Sequence, residues 1–361
     1  MHLPARARSA AQSVVLGALL AAALVLAAAP PAAQTAWVQG TVVDDETGAP
    51  LSGAHVFLSG STTGDAVDRG GRFAFRTDAL GRVTVTATML GYGTAATGQI
   101  LTGGDTLVVA FRLPPEPVVM GDVEVVRERD EAWERALALF RPAFLGRTAN
   151  ADRTRITNPE VLTLAYDRES GLRAEADAPL VVRNDALGYE ITFYDLALDA
   201  LGEDWMWTGA VVFRDLCDAA CAASVLDARQ RAYRGSLAHF YDALVRDDLE
   251  GEGFSTRRVS EPGRSGRSLS DLFGGGPPGV EAQPVPYGWM VETGGAVRVE
   301  YGGERGGRQV SWLTAPLGVL RLGPTAVMLD PAEVVRYGHW DGERVADALP
   351  LDYRPPRPDG P

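Results

Sequence analysis

The sequence predicts an N-terminal all-β sandwich followed by an α+β domain built on a mainly antiparallel sheet. Three observations carry this. Between Trp37 and Leu113, strand-length runs recur about every ten residues, separated by turn-forming Gly, Pro and Asp. Downstream, two stretches place apolar residues at helical spacing, near 130–146 and 236–251. Around those stretches lie further alternating or valine-rich runs. The implied limits are 1–33 for a signal peptide, 34–115 for the sandwich, 116–129 for a linker, 130–350 for the α+β domain and 351–361 for a disordered tail.

The first element is a leader. Arg6 and Arg8 precede an apolar run from Val14 to Ala29, and small residues follow around Ala32, Ala33 and Gln34. Pro30 and Pro31 end the run, which is short for a membrane span, and no cysteine follows it to carry a lipid. The expectation is export to the periplasm, or association with the outer membrane or cell surface. No later run approaches the roughly 18 apolar residues a spanning helix needs. The chain has 361 residues, 46% hydrophobic and 22% charged, as a globular protein has. Its net charge is −13, and losing the two leader arginines makes it −15. Such a surface, with no basic run, repels phosphate backbones, so nucleic-acid binding is excluded.

The elements follow in order. "WVQGTVVD" sets Val38, Gly40 and Val42 on one face. "DDETGAP" is a turn in which Asp44 and Asp45 can bond their own backbone, Gly48 tolerates positive φ and Pro50 blocks ladder pairing. "GAHVFLSG" turns Ala54, Val56 and Leu58 inward; Gly70 and Gly71 then turn the chain, and Phe73 and Phe75 share a face. In "GRVTVTATML", Val83, Val85, Ala87 and Met89 alternate with Thr84, Thr86 and Thr88. "DTLVVAFRL" closes a small antiparallel sandwich. Trp133, Ala136, Leu137, Phe140 and Phe144 then mark a helix ending at Gly146. "EVLTLAYD", "GLRAEADAPLVVRN", "GYEITFYDLALDA" and "WMWTGAVVFRDL" read as strands. A helix opens near Ser236, with Leu237, Phe240, Tyr241 and Leu244 on one stripe and Gly251 and Gly253 to stop it. "GFSTRRV" is a strand, 261–287 a Gly/Pro/Ser-rich loop, and "GAVRVEYGG", "GRQVSWLT" and "GVLRLG" a closing meander.

The stretch "GTVVDDETGAPLSGAHVFLSGSTTGDAVDRGGRFAF…TVTATMLGY" resembles the carboxypeptidase-regulatory-like domain. Gly40, Val42, Asp44, Thr47, Gly48, Pro50, Leu51, Gly53, Ala54, Val56, Gly71, Phe73, Gly91 and Tyr92 fall on that family's pattern. The loop "STTGDAVDRGG" departs from the usual form. The resemblance implies a seven-stranded transthyretin-like sandwich, of a fold group that often holds sugars, and no peptidase activity. The domain also heads many TonB-dependent outer-membrane transporters, but the rest of this chain is too short for a large barrel. Downstream, "ALALFRPAFLG", "ITNPEVLTLAYD", "APLVVRNDALGYEITFYDL", "RAYRGSLAHFYDAL", "EGEGF" and "GHWDGERVADALPLDY" resemble exported proteins of Bacteroidota-type bacteria, a family that brings no active site with it.

Candidate chemistry is sparse. Cys217 and Cys221 could close a small disulfide or pack as two thiols on one helical face; zinc would need two further ligands. Beyond the leader stand His55, on the solvent side of a strand, His239, and His339 beside Trp340 in a turn before the last helix. Ser236 and His239 could pair as nucleophile and base, but a serine opening a helix caps a backbone N–H instead. Asp44, Asp45 and Glu46 make a turn more readily than a calcium cage. Trp205, Trp207, Trp312 and Tyr301 could line a sugar platform, though alternating strand aromatics usually fill cores. Arg153, Arg155 and Arg173 should pair with nearby acids. No zinc-protease, nucleophile-elbow, P-loop or dinucleotide motif occurs in a fitting context. The expectation is no catalytic residue, no cofactor and no metal, in an envelope-associated binding or scaffolding protein that takes a glycan or an envelope protein. The alternatives are a carboxylate-based hydrolase of glycan or peptide, and a periplasmic partner of a TonB-dependent transporter.

Overall fold

The computed structural model describes residues 35–116, 130–201, 204–217, 221–259, 279–286, 288–302, 307–323, 326 and 334–356. The leader and nearly all of the expected linker lie outside these residues.

Seven strands form the sandwich: β1 (Ala36–Asp44), β2 (His55–Leu58), β3 (Gly64–Ala66), β4 (Arg72–Thr77), β5 (Gly81–Thr88), β6 (Ala95–Leu101) and β7 (Thr106–Leu113). They make two sheets, β4-β1-β7 and β3-β2-β5-β6. Val38, Val42, Ala54, Val56, Leu58, Phe73, Phe75, Val83, Val85 and Phe111 fill the space between them. The pairing is not wholly antiparallel: β7 lies parallel to β1. The chain crosses to the other sheet between the two, and so can return in the same direction. β3 and β6 escape the sequence pattern, because a three-residue edge and an Ala-Thr-Gly edge carry little apolar alternation. β5 also departs from expectation. Thr86 and Thr88 are buried like the valines opposite, since Thr86 pairs with Phe57, whose ring meets Tyr194 of the downstream part at 5.5 Å.

The acidic turn is built by Asp44. Its Oδ1 accepts the N–H groups of Glu46 and Thr47 at 2.9 and 2.8 Å, and its Oδ2 accepts the Tyr92 hydroxyl at 2.9 Å. Asp45 does not bond its backbone as expected; it faces Arg112 at 3.7 Å.

Downstream, α1 (Glu131–Leu145) starts at Asp130, whose side chain accepts the Trp133 N–H, and ends at Gly146 with φ of 96°. Its buried face rests on a six-stranded sheet, Phe144 meeting Phe193 at 5.0 Å. The sheet holds β8 (Thr154–Ile156), β9 (Leu162–Asp167), β10 (Gly171–Ala176), β11 (Leu180–Asn184), β12 (Tyr189–Leu201) and β13 (Asp204–Asp215). The single strand expected over 171–184 is two, because Pro179 and its neighbours break it. Both halves pair with β12, on either side of the register shift between Tyr194 and Ala197.

A helix not foreseen, α2 (Ala223–Tyr233), buries only Ala228 and Arg229 fully, so it shows no apolar stripe. α3 (Leu237–Val245) has Ser236 as its cap and ends before the glycines expected to stop it, the chain turning at Asp247 with φ of 55°. The rest is two sheets, not one meander: β14-β17-β18-β20 and β15-β16-β19. These are β14 (Phe254–Val259), β15 (Ala282–Val285), β16 (Gly288–Glu292), β17 (Ala296–Tyr301), β18 (Gln309–Thr314), β19 (Val319–Leu322) and β20 (Val335–Gly338). β15 lies inside the expected 261–287 loop, as a Pro-bearing edge strand. α4 (His339–Gly342) is a single turn, and it contains His339 rather than following it. Among the described residues no helix is long and apolar enough to cross a membrane.

Candidate binding cleft at the domain junction

The sandwich and the six-stranded sheet are joined through backbone. The β2–β3 turn lies along the free edge of β13: the Gly60 N–H donates to Val211 O at 2.6 Å and the Phe213 N–H to Ser61 O at 2.9 Å. The Val211 N–H donates to Ser59 Oγ at 3.1 Å. The chain after α4 then crosses this junction. Residues 351–356, expected within a disordered tail, are held as a strap. The Leu351 N–H donates to Gly60 O at 2.8 Å. Asp352 Oδ2 accepts the Thr62 N–H at 3.0 Å and the Thr62 and Thr63 hydroxyls at 2.6 and 2.9 Å. A carboxylate that finds three donors holds its segment in place, which is why a Pro- and Arg-rich terminus is ordered here.

Turn, sheet and strap enclose a cleft of about 270 Å³, lined by Thr62, Tyr189, Asp215, Leu226, Arg229, Pro350, Asp352, Tyr353, Arg354 and Pro356. Its ionic groups have protein partners, Arg354 donating to the Leu351 and Tyr353 carbonyls at 2.9 Å. Arg229, 6% exposed, donates to both carboxylate oxygens of Asp215 at 2.7 and 3.0 Å and to the carbonyls of Leu187 and Gly188. Its guanidinium also lies 3.9 Å from the Tyr189 ring centroid. Burial works to raise the Asp215 carboxyl, but Arg229 and the Cys217 N–H hold it below the usual carboxylate range. Burial pushes the Tyr189 and Tyr353 hydroxyls up, so both are neutral donors. Cys217 and Cys221 form a disulfide, with 4.8 Å between their Cα atoms, closing the loop from β13 to α2 behind this wall. Gly188, with φ of 65°, fits there because a Cβ would meet Cys217 Sγ at 3.0 Å.

The other candidates lie elsewhere. Ser236 Oγ accepts the His239 N–H at 3.2 Å, a helix cap and not a nucleophile–base pair. His239 is 3% exposed; its Nδ1 accepts the Gly235 N–H at 3.0 Å, so Nε2 carries the proton toward Glu252 at 3.1 Å. Burial lowers its pKa against the pull of Glu252, and the ring stays neutral. Arg246 binds both Glu252 and Asp242, at 3.0 Å each, so the cluster is closed on itself. His55 is exposed on β2. Trp207 packs edge-on against Phe193 at 5.4 Å, Arg344 lies 4.0 Å over Trp205, and Trp312 and Tyr301 belong to downstream cores. No sugar platform is assembled from the four. Arg155 pairs with Asp185 and Arg173 with Asp199, but Arg153 donates to the Asp185 carbonyl instead of an acid. Among the described residues no group of three or more His, Cys, Asp or Glu could hold a metal ion. Thr62, Tyr189, Arg229, Asp352 and Tyr353 carry no sequence signal as a set, because only tertiary pairing brings such distant positions together.

Residues 37–114 match the family model of the carboxypeptidase regulatory-like domain, which is the sandwich. No curated protein matches the chain. Among solved structures the chain is similar to 3-chlorocatechol 1,2-dioxygenase from Rhodococcus opacus 1CP, at 14% identity over 23% of this chain and 60% of that one, with a TM-score of 0.19. It is similar to the minor pilin GBS52 of Streptococcus agalactiae, at 17% identity over 25% and 48%, with a TM-score of 0.19. It is also similar to a candidate carbohydrate-binding protein from Bacteroides uniformis ATCC 8492, at 12% identity over 50% and 79%, with a TM-score of 0.18. The chain thus spans less than two thirds of the first two, and likenesses this weak carry no argument about function.

Proposed function

We propose that this chain, whose residues 37–114 carry a carboxypeptidase regulatory-like domain, is a non-catalytic binding module exported to the cell envelope, and that its junction cleft takes an uncharged saccharide unit. One observation carries the reading: the cleft's two acids and two arginines are spent on each other, on backbone and on hydroxyls, leaving the Tyr353 ring and the apolar edges of Leu226, Pro350 and Pro356 to meet a ligand. Catalysis needs a free acid, base or nucleophile at the ligand. Asp215 is held ionised by Arg229, and Asp352 is engaged by Thr62 and Thr63. An unpaired charge would select an ionic ligand. A compensated cleft with the Tyr353 ring in its wall suits a polyol, whose hydroxyls exchange hydrogen bonds and whose C–H faces lie on rings. Export rests on the arginine-led apolar leader.

The test is a glycan and peptide array probed with the chain from residue 34, followed by mass analysis of the bound ligand. Neutral glycans should be retained and recovered unchanged. Recovery of cleaved product would establish the hydrolase reading instead, and retention of peptides alone would move the function to protein scaffolding. Fractionation of the native cells checks the location: the chain should appear in the envelope fractions without its first 33 or so residues.

A further inference from the structure

The buried His239 ring uses its two nitrogens in opposite ways. Nδ1 accepts the Gly235 N–H at 3.0 Å, and Nε2 carries the ring's one proton toward Glu252 at 3.1 Å. Gly235, with φ of 81°, turns the chain from α2 into α3. Its carbonyl accepts the Trp340 Nε1–H at 2.7 Å, at the start of the terminal segment. The Tyr233 ring lies 4.9 Å from His239 and 6.0 Å from Tyr353 of the strap. His239 thus reaches the strap by two routes, through Gly235 and Trp340 and through Tyr233. α2 also carries Arg229 into the cleft wall.

A second proton is incompatible with the first of these bonds. An imidazolium donates from both nitrogens, so its Nδ1–H would face the Gly235 N–H, donor against donor. Gly235 has little room to turn aside: a Cβ there would meet Gln309 Oε1 at 2.3 Å and the Tyr301 ring at 2.6 Å. The ionisable groups around the ring are Glu252 after α3, Asp242 and Arg246 along it, Tyr233 on α2 and Tyr301 on β17; β14 offers the Phe254 ring. Burial lowers the His239 pKa, with Glu252 and Asp242 opposing. Burial works to raise the Glu252 carboxyl, but His239 and Arg246 hold it below its usual range, so it stays ionised as His239 charges. The unfolded chain takes the proton near 6.5, so its cost to the fold grows as the pH falls below that value. We propose that His239 is an acid-sensitive latch on the junction cleft: a proton taken at Nδ1 releases Gly235, and the freed corner loosens the strap. As a control on binding, the latch rests on the cleft being the ligand's site.

The experiment is amide exchange of the chain from residue 34 at about pH 7 and pH 5, corrected for intrinsic rates, with retention on an array of neutral oligosaccharides under the same conditions. Glu343, whose carboxyl is pushed up to about 8, keeps its proton at both. Protection over 233–240 and 350–356 should fall about tenfold at the lower pH, and retention with it. His239→Asn, whose Oδ1 can accept the Gly235 N–H and does not titrate, should lose the response. Glu252→Gln, which keeps an acceptor for Nε2 without its charge, should move the midpoint about one pH unit lower, a check that stands even where the asparagine variant fails to fold. His339→Gln and Ser236→Ala keep Nδ1 and should respond like the parent. Equal protection at the two pH values, a response that survives in His239→Asn, an unmoved midpoint in Glu252→Gln, or a response confined to 233–240 would overturn the proposal. The exchange response with no oligosaccharide retained at either pH would refute the saccharide reading of the cleft and leave the latch standing.

Discussion

Glu343 shows how position sets the chemistry of a single side chain. Burial pushes its carboxyl up to about 8, the neighbouring Asp347 adds to this, and Arg336 opposes it. His339, 3.8 Å away on α4, has its own pKa lowered by burial. In the unfolded chain the group ionises near 4.5. The folded form therefore holds a proton that the unfolded form has lost between those values. The stability this group contributes is full below about pH 4.5 and is lost as the pH rises to about 8. Denaturant unfolding at pH 5 and pH 8 should show a larger fall for the parent than for Glu343→Gln, and equal falls would refute the assignment. Arg229 makes the opposite case, a charge whose partners are complete. Arg229→Met leaves Asp215 and two carbonyls without it and should cost about 2–3 kcal/mol. That is less than for a wholly buried pair, because Asp215 keeps 41% side-chain exposure. Chemical denaturation of the two proteins reads the difference.

α3 has the start and the buried stripe that the sequence shows, though not the end. Ser236→Ala removes its cap and should lower stability by about 1 kcal/mol, with ligand binding unchanged because Ser236 does not line the cleft. Calorimetric melting and array retention of the variant check both halves. The agreement has a cause: α3 buries Leu237, Phe240, Tyr241 and Leu244 on one stripe, so burial and periodicity coincide. The same coincidence made α1 and β1, β2, β4 and β5 legible. It fails for α2, whose main buried side chain is an arginine, and for β6, an edge strand whose first four residues are small and whose large apolar residues, Ile100 and Leu101, are adjacent at its end. It fails again at Thr86 and Thr88, where a face that reads as wet is covered by another part of the molecule. The Asp44 turn was readable because its bonds are local, whereas its hydroxyl partner Tyr92 lies 48 residues on. The cleft was not readable at all: it depends on which edge of β13 meets the β2–β3 turn, and no period encodes that choice.

At the scale of the molecule, the terminal segment ties three cores together. The Trp340 Nε1–H donates to Gly235 O at 2.7 Å in the downstream core, and Asn184 Nδ2 of the six-stranded sheet donates to Ala346 O at 2.8 Å. Asp347 accepts from Thr148 Oγ1 and Asn150 Nδ2, both at 2.9 Å, and Asp352 then fastens the strap to the sandwich. Asp352→Ala should free the last of these attachments and leave the others. The expected result is faster amide exchange over 350–356 and several-fold weaker ligand binding, with little change in the thermal midpoint. Exchange and binding like the parent's would mean that the strap is held by Leu351 and Tyr353 without it. The central claim is that ligand enters the cleft and is bound, not transformed. It is tested most directly by calorimetric titration of the best array ligand into the parent and into Tyr353→Ala, with the ligand recovered afterwards. The account predicts binding that falls about tenfold or more in the variant, with intact ligand recovered from both. Equal affinity for the two proteins, or a cleaved ligand, would contradict it.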